Sequence, residues 1–384
     1  MVYLLMGKTL RKELIPLTSL RGLAAMAVIA MHYSATMQEI AIAKFPSLAP
    51  HGSLAVDVFF VLSGFIMGYT YRASFEREDT ASAYRKFLLK RAGRILPLNA
   101  AISIALVLVG LASLELFGSN TVPTVRPDHV LIDLVSNLFL LPGIGIGHSL
   151  NWPAWSISVE FVAYFVFPIL LAAIFNKSRL LLVVSCLLAV VGMWASVGPN
   201  FGISGMHNHP WPWRDILRCV CEFGLGLAAY RAFSSGRFTK VFSKDAVALS
   251  ILASVLLIVL LNLGELFAML LFPALILALS LNSGWVARIL SIRPLHFLGE
   301  ISFSLYLVTD PFRQPLQHLV KYLHPTPLLP HQGMAMAAIC AIAMILPAWV
   351  TFNLVEKPGR SAMRHMLASG TSNTAGRVSP TEVR

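Results

Sequence analysis

The sequence predicts an all-α, polytopic membrane protein of about ten transmembrane helices with both termini in the cytoplasm, and three observations carry that prediction. Of 384 residues, 57% are hydrophobic and only 12% charged, with a mean hydropathy of +0.72; soluble domains are far more polar. Apolar runs of spanning length recur to about residue 356 with no long soluble insert. Most lysines and arginines fall in alternate loops, which is the positive-inside pattern. The net charge of +12 therefore reads as topology, and nucleic acid is not an expected partner.

Helix one covers about 14–34, behind a basic segment (1–13) carrying Lys8, Arg11 and Lys12. That segment resembles a signal peptide's basic region. The apolar run is long, contains Arg21 and lacks a clear cleavage site, so a retained first span is expected. The loop 35–51 carries only Lys44. Helix two, about 52–71, ends at a basic loop from Arg72 to Arg94. Helix three runs about 95–117. The stretch 118–151 holds Pro123, Pro127 and Pro142, with an amphipathic piece near 130–141 that suits the interface. Helices four and five follow at about 152–175 and 179–197.

A Gly/Pro/His/Trp loop, 198–213, precedes helix six at about 214–232. Helices seven and eight (about 246–262 and 265–282) form a hairpin around Asn262-Leu-Gly-Glu265. Helix nine is about 295–312 and helix ten about 333–356. The organisation is thus a cytoplasmic N-terminal segment (1–13), a membrane domain (14–360) and a basic cytoplasmic tail (361–384) whose Ser/Thr/Gly content predicts disorder. All four cysteines (Cys186, Cys219, Cys221, Cys340) lie in apolar segments and read as buried, inert thiols.

Five constellations carry chemistry. Arg21 and His32 are eleven residues apart in helix one, within about 20° of one face and roughly 16 Å apart along it. Two such residues are costly in lipid and point to a polar pathway. In Val56-Asp-Val-Phe-Phe-Val-Leu-Ser-Gly64, Ser63-Gly64 allows close approach of another backbone; Asp57 fits either helix capping or function. Arg91 and Arg94 are one turn apart, suiting lipid phosphates or a phosphorylated cytoplasmic ligand.

In Asn151-Trp-Pro-Ala-Trp155-Ser156-Ile-Ser-Val-Glu160, the residues Ser156, Glu160 and Tyr164 form one polar stripe. Trp155 belongs to the interfacial belt. Glu160 is expected beside His32, fixing its tautomer as general-base chemistry requires. Arg214, Arg218 and Glu222 repeat at i, i+4, i+8, which suits internal pairing or an anionic substrate. His207 and His209 lack a cluster of further ligands, so no metal is assigned.

Arg21-x10-His32, Phe59-Phe-Val-Leu-Ser-Gly64, Arg91-x-x-Arg94-Ile-x-Pro97, Trp155-Ser-Ile-Ser-Val-Glu160, Phe297-Leu-Gly-Glu-Ile-Ser-Phe-Ser-Leu-Tyr-Leu307 and Val355-Glu-Lys-Pro358 occur in this order. The set resembles membrane acyltransferase family 3, the bacterial O-acyltransferases of surface polysaccharides and other glycans, over about residues 14–360. The resemblance implies acyl-CoA, usually acetyl-CoA, as cytoplasmic donor and a carbohydrate hydroxyl on the outer face as acceptor, such as exopolysaccharide or lipopolysaccharide. It implies a bacterial inner-membrane location.

Arg21 and His32 would then be essential, with His32 as general base or acyl carrier. Arg91 and Arg94 would be CoA-side residues together with Arg21. Trp155, Ser156 and Tyr164 would line the acceptor site. Some relatives add an extracytoplasmic SGNH hydrolase-type domain; this chain is expected to work without one. Homo-oligomers and polysaccharide-assembly proteins are compatible partners.

One departure concerns Val308-Thr-Asp310-Pro311, where many relatives place a histidine; Asp310 is the candidate substitute. A proton-coupled secondary transporter is the rival reading, since intramembrane His, Arg and Glu also mark such pathways. It predicts related halves, and the sequence carries each motif once.

Overall fold

A computed structural model describes residues 3–4, 11–44, 51–197 and 212–375. His207 and His209 lie outside the described residues. Among those described, the fold is all-helical apart from a two-residue antiparallel pairing of Tyr3–Leu4 with Arg11–Lys12 and one isolated bridge. The principal helices are α1 (Ile15–Gln38), α2 (Leu54–Arg77), α3 (Thr80–Phe117), α4 (Val130–Leu138), α5 (Ala154–Ile174), α6 (Arg179–Val197) and α7 (Trp213–Ser235). They continue with α8 (Asp245–Leu260), α9 (Glu265–Leu281), α10 (Arg293–Glu300), α11 (Ser302–Leu323), α12 (Pro330–Ala343), α13 (Ile345–Thr351) and α14 (Lys357–Ala375).

Among the described residues, six helical stretches are long and apolar enough to cross a membrane: α1, α2, α3, α5, α6 and the run Pro330–Met366. Helices α8 and α9 are apolar but shorter. Helices α7 and α11 carry too many charged and polar residues to count on composition, among them Arg218, Glu222, Asp310 and Arg313. Composition and length thus give six spans where the sequence reading expected about ten.

Three boundaries differ from expectation for local reasons. Helix α3 begins at Thr80 rather than 95, because the Asp79 carboxylate caps it, accepting from the Ser82 N–H at 3.1 Å. The basic segment is therefore helical, which holds Arg91 and Arg94 on a rigid element. The expected ninth helix is two, α10 and α11, joined at Ile301. There the backbone of Gly299 lies so close to α1 that a side chain on Gly22 would stand 2.6 Å from the Gly299 nitrogen.

The last helical run breaks into α12, α13 and a π-helical turn, Phe352–Glu356, before α14. Pro358 has no N–H to offer the preceding turn, which widens. The chain then stays helical to Ala375, into the stretch for which disorder was expected. Contacts hold its first turns in place: Gly93 seats Met363, Gly359 packs on Pro97, and Arg360 pairs with Glu356.

Helices α2 and α7 are the most intimately packed pair. Gly64 faces the Phe223 carbonyl and Gly226 faces that of Val61, so neither position has room for a side chain. At this seam Arg218 ion-pairs with Asp57 and stands 3.8 Å from Glu222, all three side chains at most 1% exposed. Asp57 is thus an inter-helix partner rather than a cap, and the Arg218 stripe serves internal pairing. The four cysteines are free; three are buried and Cys186 is half-buried.

Candidate functional site

The interior holds a cavity of about 360 Å³ between α1, α2, α3, α5, α11 and the π-turn. Arg21, Arg91, Arg94 and Arg360 all line it. Each is placed by a local feature. Arg21 donates to the Gly299 carbonyl at 2.8 Å and to Ser302 Oγ at 2.9 Å, groups made available by the break between α10 and α11. Arg91 and Arg94 share one face of α3, as their spacing predicts. Arg360 reaches in from α14, paired with Glu356, whose other oxygen accepts the Ser304 hydroxyl.

Two of these guanidinium groups are not saturated. Arg91 donates to Met67 Sδ at 3.3 Å and lies over the Tyr164 ring at 5.6 Å. Its Nε is buried without a hydrogen-bond partner among the described residues, and so is the Nε of Arg360. Buried, unpartnered donors are costly. Four guanidinium groups around one cavity in a low-dielectric interior make it a strong attractor for a ligand with several negative charges.

Glu160 lines the same cavity and accepts from the Tyr164 hydroxyl at 2.6 Å. Tyr164 also stands 3.5 Å from Ser63 Oγ. His32 lines a different, much smaller cavity of about 20 Å³, with Ser53, Trp152 and Trp155. The sequence reading placed Glu160 beside His32; the structure gives Glu160 the hydroxyl one turn along its own helix and sets the two residues in separate cavities. The i, i+4 spacing that made the stripe visible is also what brings Tyr164 within reach.

The expected acceptor-side residues divide likewise. Trp155 belongs to the His32 cavity, whereas Ser156 and Tyr164 line the large one. Ser156 Oγ is 2.8 Å from the Tyr306 hydroxyl. Asp310, the candidate substitute for a histidine, pairs with Arg313 at 3.0 Å and lines neither cavity. Arg360 and Tyr306 are the residues that sequence reasoning missed. Glu356 and Arg360 stand at i, i+4 directly after a quoted motif, which was a signal; Tyr306 lay inside one and was read only as part of it.

Comparison with known proteins identifies the family. The family model described as an acyltransferase domain matches residues 17–353. Among curated proteins, the chain is 24% identical over 380 residues to the peptidoglycan O-acetyltransferase OatA of Listeria monocytogenes, covering 91% of this chain and 56% of that protein. It is 24% identical over 383 residues to the putative peptidoglycan O-acetyltransferase YrhL of Bacillus subtilis, covering 92% and 56%. It is 35% identical over 161 residues to the acyltransferase MdmB of Streptomyces mycarofaciens, covering 40% and 38%. The chain thus spans about half the length of the curated relatives it matches, or less. No solved structure matches it significantly. With the match running over residues 17–353, the chain belongs to the Acyl_transf_3 family of acyltransferases.

Proposed function

We propose that this protein is a bacterial inner-membrane O-acyltransferase that moves an acetyl group from cytoplasmic acetyl-CoA to a hydroxyl of an extracytoplasmic glycan. The observation that carries the reading is the convergence of Arg21, Arg91, Arg94 and Arg360 on one cavity, two of them with buried, unpartnered Nε donors. The phosphate groups of a CoA ester would satisfy those donors, and guanidinium forks suit phosphate. The donor class comes from the family resemblance; the cavity supplies the complementary charge. An extracytoplasmic glycan acceptor is supported by the two relatives named peptidoglycan O-acetyltransferases.

The cytoplasm is assigned to the end bearing the arginines, on the positive-inside pattern of the loops, which also underlies the proposal of about ten spans with both termini inside. Arg91, Arg94 and Arg360 hold the phosphates. Arg21, tied to Gly299 and Ser302, lines the path of the thioester end. His32, in its niche beside Trp152 and Trp155, takes the proton of the acceptor hydroxyl. The hydroxyl oxygen then bonds to the acyl carbon, the C–S bond breaks, and CoA leaves as a thiolate that takes up a proton. Glu160 keeps Tyr164 under the Arg91 guanidinium and so helps fix Arg91.

The test uses the full chain in lipid nanodiscs with radiolabelled acetyl-CoA and an isolated cell-wall or surface glycan fraction. CoA thiol release accompanied by acetyl groups on the glycan is expected. His32→Ala should abolish transfer while CoA binding persists. A correctly inserted His32→Ala protein with full transfer activity would overturn the assignment of His32, and the absence of any CoA binding by the wild type would overturn the donor.

A further inference from the structure

Tyr306 borders both cavities, and its position follows from three contacts. Its hydroxyl is 2.8 Å from Ser156 Oγ, its ring meets Phe59 edge-on at 6.0 Å, and its side chain is buried within α11. Among the described residues, Tyr306 and Val56 are the two that line the large cavity and the His32 cavity alike. Arg21, Arg91, Arg94 and Ser156 stand on one side of them, His32 and Trp155 on the other.

The Ser156 hydroxyl is the one polar partner of the Tyr306 phenol among the described residues, so losing it frees the ring to change its side-chain torsions, whereas Val56 on the α2 backbone cannot move far. We propose that Tyr306 is a positioning residue that separates the donor cavity from the His32 niche, and that breaking its contact with Ser156 opens the route by which the acyl group meets the acceptor. The inference rests on the acyl-transfer reading for its purpose, though not for its geometry.

Two outcomes compete for a thioester in the large cavity. With the acceptor present, its oxygen bonds to the acyl carbon, the C–S bond breaks, the hydroxyl proton goes to His32 and CoA departs. With water in the acceptor's place, the same bond changes give a free carboxylic acid and CoA, and the donor is wasted. Excluding water until the acceptor is seated favours the first outcome. A closed Tyr306 does this with bulk alone; it forms no bond to the acyl group. His32 can then remain open to the outer side while the donor waits behind the ring.

The experiment has two independent readouts on the full chain. Ser63 lines the large cavity and not the small one, so a Ser63→Cys reporter is exposed to a membrane-impermeant maleimide added from the His32 side. With Tyr306 present the reporter should resist labelling; with Tyr306→Ala it should label. Separately, hydrolysis of acetyl-CoA without acceptor, read as thiol release at saturating acetyl-CoA, should rise about tenfold in Tyr306→Ala, because water gains access. Tyr306→Phe keeps the ring and should retain protection from the maleimide.

Ser156→Ala removes only the hydroxyl that holds the ring, and should shift both readouts in the same direction by less. It serves where the alanine variant does not fold. Labelling that is unchanged in a folded Tyr306→Ala or Ser156→Ala protein overturns the partition. Labelling that rises while no variant hydrolyses acetyl-CoA supports the partition and instead overturns the acyl-CoA reading.

Discussion

Replacing Arg218 with methionine tests the seam between α2 and α7 most directly. Arg218 is 1% exposed, and the carboxylates it faces, Asp57 and Glu222, are both fully buried. Methionine roughly preserves the volume, so the change is almost purely one of charge. It leaves two buried carboxylates with no cation between them, and removal of one partner of a buried ion pair costs about 3–5 kcal/mol. With two carboxylates affected rather than one, the upper half of that range is expected.

The assay is reversible unfolding in mixed micelles, titrated with a denaturing detergent and followed by tryptophan fluorescence. Asp57→Asn with Arg218→Met and Glu222→Gln should recover most of the loss, because a neutral set removes the uncompensated charge. The coupling between Asp57→Asn and Arg218→Met in a double-mutant cycle should reach about 1–3 kcal/mol. A single Arg218→Met protein within about 1 kcal/mol of wild type, or a cycle with no coupling, would refute the claim that this triad holds α2 against α7.

Three further outcomes are expected. Gly22→Val should destabilise the protein by at least about 2 kcal/mol, since its side chain would collide with Gly299 and Leu298; a variant melting at the wild-type temperature would contradict the close approach. Arg360→Gln should raise the KM for acetyl-CoA by about tenfold or more, the cost of one charged hydrogen bond, and leave kcat nearly unchanged; an unaltered KM would remove Arg360 from the donor site.

The third outcome concerns acid. In the segment before α5, burial pushes the Asp133 carboxyl up, but the Arg126 fork and the His148 N–H outweigh it and hold it below the ordinary carboxylate range. Its stabilisation is therefore complete above the unfolded value near 4 and is lost as pH falls through the lower folded value. Limited proteolysis of residues 118–151 should accelerate only under strong acid in the wild type. Asp133→Asn should be cut faster already at pH 7, with that acid step gone.

Much of the fold was legible because the bilayer demands long apolar runs, and those runs recur. Helix α6 was placed at its observed limits, and α5 and α7 within a few residues. The boundaries that differed were set by features that hydropathy does not weigh. Asp79 extends α3 through a basic stretch that reads as a loop. Gly299 against α1 divides one expected helix into two. The Gly93–Met363 and Gly359–Pro97 contacts hold the start of a C-terminal helix whose composition suggested disorder.

The candidate site was legible residue by residue and not as a set. Arg21, Arg91 and Arg94 were marked by being charged in or beside apolar helices, and all three do line one cavity. His32 was placed on the face of α1 that carries Arg21, but in another cavity. Glu160 was seen as a carboxylate needing a partner and was matched to His32 by depth; the Tyr164 hydroxyl, one turn along the same helix, is the partner it holds in the structure.

The sequence by itself determined the all-helical class, the long apolar helices and the family, though not the count of about ten spans, because these depend on composition, period and ordered motifs. Only the tertiary structure decided that Arg360, from the far end of the chain, joins the other three arginines, that Asp57 belongs to Arg218, and that Tyr306 lines both the large cavity and the one that holds His32. A period of 3.6 residues records the character of one face of a helix. Which face of which other helix it meets is settled by glycine contacts, helix breaks and side-chain packing between segments hundreds of residues apart, and no local pattern encodes those meetings.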